Sequence, residues 1–322
     1  AAQGRYTEAI SYVPDSFKKG NKRTYLSATY FNSLDTMYPS LEMYNANMAQ
    51  MLQNAISTSS LSIFTVSEFA EYLDILPETQ QIRSFLELTS KLLDDDSNAE
   101  QVKLSQASGI LNTYLKLASL HSSLAENLLP ATQKCLSIIE SSCSLTDSTL
   151  SLLEKDAPVS NFLALSTGNA LIRWGEFSNA PEYSQTGYAL INSVLAANTL
   201  DSITLADIYP VLVNNPYYPH YKVLSRSTSG TIWAWTCAPS ISYSLSNSIA
   251  TISITFPKNE VNHAYISGIP SFSEIEIYGL SFHSDPRFES YNSSGFIYKP
   301  QSQTLLLKSR HKSENEIVRM FY

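Results

Sequence analysis

The spacing of apolar residues changes character once along this chain, near 214–221, where Asn-Asn-Pro-Tyr-Tyr-Pro-His-Tyr interrupts both patterns. Upstream, apolar positions recur every three and four residues, as in helices with one face against a core. Leu41, Tyr44, Met48, Met51 and Ala55 form the first stripe, and Pro39 suits its first turn. Ile82, Phe85, Leu86, Thr89, Leu92 and Leu93 form the second. The run Asp94-Asp95-Asp96 reads as a turn, because anions oppose the negative end of a helix. Leu104, Ala107, Leu111, Tyr114, Leu115 and Ala118 make a third stripe. Leu120, Leu124, Leu128, Ala131, Cys135 and Ile138 make a fourth, which Pro130 must kink or restart. Phe162, Leu165 and Ile172 on one face, with Leu163, Ala170 and Trp174 on another, predict a helix buried on both sides. Tyr188, Ile191, Val194 and Leu195 define the next, with Asn179 as its expected N-cap. A short last helix is expected from Thr204, with Asp207 completing a capping-box variant.

Downstream of Tyr221 the period is two. Ile252, Ile254 and Phe256 point one way, and Thr251, Ser253 and Thr255 the other. Ile275 and Ile277 alternate with Glu274 and Glu276, and Ile317, Arg319 and Phe321 with Val318, Met320 and Tyr322. Lys299-Pro300-Gln301-Ser302-Gln303 reads as the turn of a hairpin. The expected fold class is therefore α+β with two domains. Residues 1–213 form an all-α array of antiparallel helical hairpins, with 1–38 an irregular arm. Residues 214–221 form a linker, and 222–322 an antiparallel β-sandwich. No repeat of fixed length is visible, which disfavours a regular solenoid.

Composition narrows the partners. Net charge is −8 and pI about 5.2, which argues against nucleic acid, since phosphate binding needs a basic surface. Only 16% of residues are charged, so Ser, Thr and Asn cover the surface instead. That neutral, hydroxyl-rich covering leans towards an extracytoplasmic location. No stretch is long and apolar enough to span a membrane. The three cysteines show no CxxC spacing, and neither metal nor cofactor is expected. Oligomeric state is not legible.

Chemistry has three candidate places. The seam holds Asn215, Tyr217, Tyr218, His220 and Tyr221 in one short stretch. Tyr217, Tyr218 and His220 are the expected acid and base, and Asn215 a hydrogen-bonding group. The same residues suffice for a stiff, Pro-bounded linker. Arg173, Trp174 and Glu176 suit stacking and hydrogen bonding to a sugar, or equally a helix end stopped by Gly175 with Trp174 in the core. The loop His283-Ser284-Asp285-Pro286-Arg287-Phe288-Glu289 offers a carboxylate pair beside His and Arg, or an ordinary surface turn.

A helical-hairpin body followed by a β-sandwich resembles the toroid-plus-sandwich carbohydrate-active proteins, among them chondroitin, hyaluronate and heparinase-type polysaccharide lyases. The resemblance covers most of the chain as architecture and rests on no diagnostic motif. It implies an incomplete α/α-toroid-like helical part and a polysaccharide or oligosaccharide partner. It further implies lyase or hydrolase chemistry at an interdomain cleft, using Tyr217, Tyr218, His220 and Asn215. The alternative is a non-catalytic module that binds glycan or protein through aromatic residues.

Overall fold

The computed structural model describes residues 34–66, 68–94, 102–147, 149–196, 217, 219–227 and 230–322. Asn215, Tyr218, the helix expected from Thr204 and most of the arm lie outside the described residues. The chain is α+β, with helices in its N-terminal part and antiparallel sheets in its C-terminal part. It divides into two units. Among the described residues, one holds 48–74 and 78–196, and the other holds 34–47, 75–77 and 217–322. The first described helix, α1 (Leu34–Thr58), begins within the stretch expected to be an irregular arm and carries Pro39 inside it rather than in its first turn, and its opening turns belong to the β unit.

In the helical unit, the later part of α1 buries Met48, Leu52 and Ala55, whereas Met51 stays 41% exposed. The steps of four and three from Met48 select Leu52 and Ala55, and Met51 falls at the edge of that face. A 3₁₀ turn (Leu61–Thr65) and α2 (Phe69–Ile75) follow. Phe64 stacks on Phe85 of α3 (Gln80–Asp94) at 6.0 Å and meets Phe69 edge-on at 5.4 Å. Helix α4 (Leu104–Ser119) begins against a carboxylate, since Leu104 N donates to Glu154 Oε1 at 3.0 Å. The stripe from Leu120 to Ile138 is divided as Pro130 requires. A short α5 (Ala125–Leu128) passes through a 3₁₀ turn (Leu129–Ala131) into α6 (Thr132–Ser141), with Leu124, Leu128, Ala131 and Cys135 fully buried.

A three-stranded antiparallel meander, absent from the helical reading of this region, occupies 143–158: β1 (Cys143–Thr146), β2 (Thr149–Glu154) and β3 (Ala157–Pro158). Lys155 and Asp156 have φ of 52° and 63°, the left-handed pair that reverses a tight hairpin. Ser193 Oγ of the last described helix accepts from Leu150 N at 3.0 Å and fastens the meander to the helices. Cys143 opens β1 as a free thiol, as are Cys135 and Cys237.

The last two described helices, α7 (Asn161–Ser178) and α8 (Pro181–Ala196), pack backbone to backbone. A Cβ on Gly168 would lie 2.7 Å from Ile191 Cγ1, and one on Gly187 would lie 2.4 Å from Gly168 O. Gly175 does not stop α7. The helix runs on to Ser178, and Gly175 instead gives room to Ser184 and Ala180 O. Asn179 ends α7 rather than capping α8. It adopts φ 54° and donates its N–H to Gly175 O, the left-handed C-cap that Asn tolerates.

The β unit contains two five-stranded antiparallel sheets. Its strands are β4 (His220–Ser227), β5 (Gly230–Thr236), β6 (Ser240–Ser246), β7 (Ile249–Thr255), β8 (Val261–Ser267), β9 (Glu274–Ile277), β10 (Leu280–Phe282), β11 (Gly295–Lys299), β12 (Thr304–Arg310) and β13 (Asn315–Phe321). One sheet runs β10-β9-β13-β7-β6, and the other β11-β12-β8-β5-β4. Ile252, Ile254, Val318 and Met320 from the first, and Ala264, Ile266, Leu305 and Leu307 from the second, enter one buried cluster. Asn247 and Ser248, at φ 50° and 62°, form the tight turn joining β6 to β7.

Candidate functional site

Because strand side chains alternate, each sheet has a second face, and the two second faces differ. On the β11-β12-β8-β5-β4 sheet it is aromatic and covered. Tyr221, Trp235 and Tyr265 lie opposite one another along one row. The rings of Tyr221 and Trp233 are 5.5 Å apart, Trp233 and Tyr265 5.1 Å, and Tyr265 stacks at 6.1 Å on Tyr38 of α1. Residues 34, 38, 42 and 45 recur on one face of α1, and each reaches this unit's β residues. Leu34 N donates to Glu289 Oε1 at 2.7 Å, Tyr38 Oη to Ser302 Oγ at 3.0 Å, and Tyr265 Oη to Glu42 Oε1 at 2.5 Å. Tyr221 Oη also donates to Asn45 Oδ1, at 3.4 Å.

A buried polar group lies beside this rank. His263 Nε2 is 3.9 Å from Glu289 Oε1, and Lys308 Nζ donates to the carbonyls of Glu289 and Tyr291 at 3.0 and 2.6 Å. Burial pulls His263 down to about 4, against the pull of Glu289. Burial, reinforced by Glu42, pushes the Tyr265 phenol well above its ordinary range, so it stays a protonated donor. Tyr265 and Trp233 are only 2% and 8% exposed. These rings hold the opening turns of α1 against the sheet.

The second face of the β10-β9-β13-β7-β6 sheet is open and hydroxyl-rich. Register sets its rows: Ser240–Thr255–Asn315, Ser242–Ser253–Ile317, Ser244–Thr251–Arg319–Glu276 and Ser246–Ile249–Phe321–Glu274. The four serines of β6 are exposed, and the β7 residues are half-buried. Thr255 Oγ1 donates to Asn315 Oδ1 at 2.7 Å, and Arg319 Nη1 lies 3.9 Å from Glu276 Oε2. Ile317 is 44% exposed between them. Hydroxyls thus repeat about every 4.8 Å across strands and about 6.8 Å along them.

The residues expected to carry chemistry are placed as follows. Tyr217 packs edge-on against Phe256, ring centroids 5.9 Å apart, beside the β core. His220 opens β4 opposite Thr236, and Tyr221 joins the covered rank. Trp174 is 6% exposed between Tyr114 and Phe177, at 6.0 and 6.1 Å. Arg173 is drawn below its ordinary range by burial and held up by Glu71 and Glu176. Glu71 is itself paired with Lys116 at 2.9 Å, and Glu176 is exposed. The 283–289 loop is split. His283 and Arg287 face solvent, Asp285 Oδ1 accepts Arg287 N at 2.8 Å, Phe288 is buried, and Glu289 turns to His263. Among the described residues, no three His, Cys, Asp or Glu side chains gather where they could hold a metal.

Sequence reasoning missed Glu42, Trp233 and Tyr265, which come together only through tertiary contacts. The Ser/Thr face did leave a signal, the alternation of Ser with Ile, Tyr and Leu through 240–246 and of Thr and Ser with Ile through 251–255. No protein-family model matches this chain, and no curated protein or solved structure is significantly similar to it.

Proposed function

We propose that the β unit is a β-sandwich that binds neutral glycan without catalysis, on the open face of its β10-β9-β13-β7-β6 sheet. The observation that supports this reading is the ordered grid of Ser and Thr hydroxyls around Ile317, Phe321, Arg319 and Glu276. A pyranose has an apolar C–H face and a polar rim. Ile317 and Phe321 complement the first, and the hydroxyls and the Arg319–Glu276 pair the second. Charge selects the class of glycan. Arg319 shares the face with Glu274 and Glu276, and the chain carries −8 overall, so a uronic or sulfated polymer is repelled. The incomplete toroid-like helical part and the extracytoplasmic setting belong to the same proposal. The non-catalytic form is preferred because Tyr217 and Trp174 are already engaged in packing.

The test is a panel of neutral and anionic polysaccharides, read for binding and for products. Binding to a neutral polymer, weakened at least tenfold by Arg319→Ala and by Ile317→Asp, is expected. Unsaturated products or released reducing ends would make the protein an enzyme and overturn the non-catalytic reading. Binding that survives both substitutions would remove the site from this face.

A further inference from the structure

The inward face of the second sheet turns from apolar to polar towards one end. Along β12 and just beyond it, inward positions run Leu305, Leu307, Ser309 and His311, all at most 1% exposed. Along β8 they run Ile266, Ala264 and Asn262. Asn262 lies directly opposite Ser309, so the two side chains share a face with Cβ atoms about 5 Å apart. Thr236 Oγ1 lies 3.1 Å from Asn262 Oδ1 and 3.2 Å from His263 O and shares its one proton between them, with the Asn262 amide nitrogen on the side away from Thr236.

His311 is oriented from the other side. Its Nδ1 lies 3.2 Å from Ser313 O. A carbonyl oxygen only accepts, so Nδ1 carries the proton and Nε2 of the neutral ring presents a lone pair. The Ser313 carbonyl is itself fixed, because Glu316 Oε1 accepts from Lys312 N and Ser313 N, each at 2.7 Å. The imidazole packs 5.5 Å from Phe256 at the edge of the apolar cluster. Asn262 Nδ2, Ser309 Oγ and His311 Nε2 are buried and make no hydrogen bond to the described residues. Ser309 Oγ also lies beside the Tyr278 hydroxyl and helps to hold that phenol down against the rise caused by burial.

We infer that Asn262, Ser309 and His311 form an internal site for one water molecule, which accepts from Asn262 Nδ2 and donates to His311 Nε2 and Ser309 Oγ. The three atoms are a donor, a hydroxyl of either role and an acceptor, the complement of one water. Leaving all three bare is costlier than immobilising it. The water ties the turn between β12 and β13 to β8, so it belongs to the rigidity of the sheet that α1 covers.

An atomic-resolution crystal structure of the full chain and ¹⁵N spectra of His311 test the site. Expected are ordered solvent within hydrogen-bonding distance of Asn262 and His311, and the Nδ1-protonated tautomer with a hydrogen-bonded Nε2. Ser309→Ala should keep the water and lower the folding constant about fivefold, the worth of one lost arm. Apolar contact in place of solvent, an Nε2-protonated ring, or a Ser309→Ala protein at least as stable as the parent would each overturn the inference.

Discussion

Gly187→Ala tests the packing of the helical unit at its tightest point. The added Cβ would lie 2.4 Å from Gly168 O, 2.8 Å from Ile172 Cγ1 and 3.0 Å from Ile172 N. Two of these partners are backbone atoms in the middle of α7, so no rotamer change relieves them. The helices must separate by roughly 1 Å, and a radial gap of that size forfeits up to about half of the dispersion energy of the contacts it opens. Those contacts include the fully buried Leu165 and Ile191 and the nearly buried Ile172. Overpacking of this kind costs about 1–3 kcal/mol, and more where backbone must move. Alanine returns about 1 kcal/mol through helix propensity. The upper part of the range applies here, because the clash is with backbone, leaving a net loss of about 2 kcal/mol, near thirtyfold in the folding constant. Urea unfolding followed at the helical circular dichroism band measures it. Gln185→Ala, on the exposed side of the same helix, is the control and should change stability by no more than about 0.5 kcal/mol. A Gly187→Ala protein as stable as the parent would refute the close approach of α7 and α8.

Other consequences are equally open to measurement. The folded pKa of His263 is lowered to about 4, and that of His311 is lowered too, so the unfolded chain binds more protons below the ordinary histidine value of about 6.5. Stability should therefore fall as pH drops through that value; His263 alone accounts for about 2 kcal/mol by pH 5, and unchanged urea midpoints between pH 7.5 and 5 would contradict this. Tyr265→Phe removes the donor to a partly buried carboxylate and should cost about 1.5–3 kcal/mol, with Glu42→Gln coupled to it in a double-mutant cycle. Additive losses would mean that the two side chains do not interact. Cys135 is pushed up to about 12 and Cys237 higher, both by burial, whereas Cys143 is only half-buried. A thiol reagent should label Cys143 first and the other two only on unfolding; equal labelling rates in the native protein would overturn that order.

Much of the local structure was legible in one dimension. The stripe from Ile82 to Leu93 and the one from Leu104 to Leu115 each fall on a buried helix face, because a helix against a core must repeat its apolar side near every 3.6 residues. The alternation around Ile252 and Ile254 is the strand counterpart. The 143–158 meander was illegible, since its strands are two to six residues long and too short to show a period against the surrounding leucines. Asn179 was misplaced for a different reason. The same residue type caps a helix start with its side chain and a helix end with its tolerance of positive φ, and sequence does not distinguish the two.

The sequence by itself determined most of the longer helices and strands, where the period changes, and that the surface is acidic and rich in hydroxyls. Periodicity and composition are properties of single segments, and each segment carries them before it meets another. Only the tertiary structure decided the grouping. It gave the opening turns of α1 to the β unit, joined Glu42 to Tyr265 and Asn45 to Tyr221, and drew Ser242, Ser253 and Ile317 into one row. These partners are separated in sequence by up to more than two hundred residues. Register and long-range burial choose them, and neither leaves a trace in the local pattern.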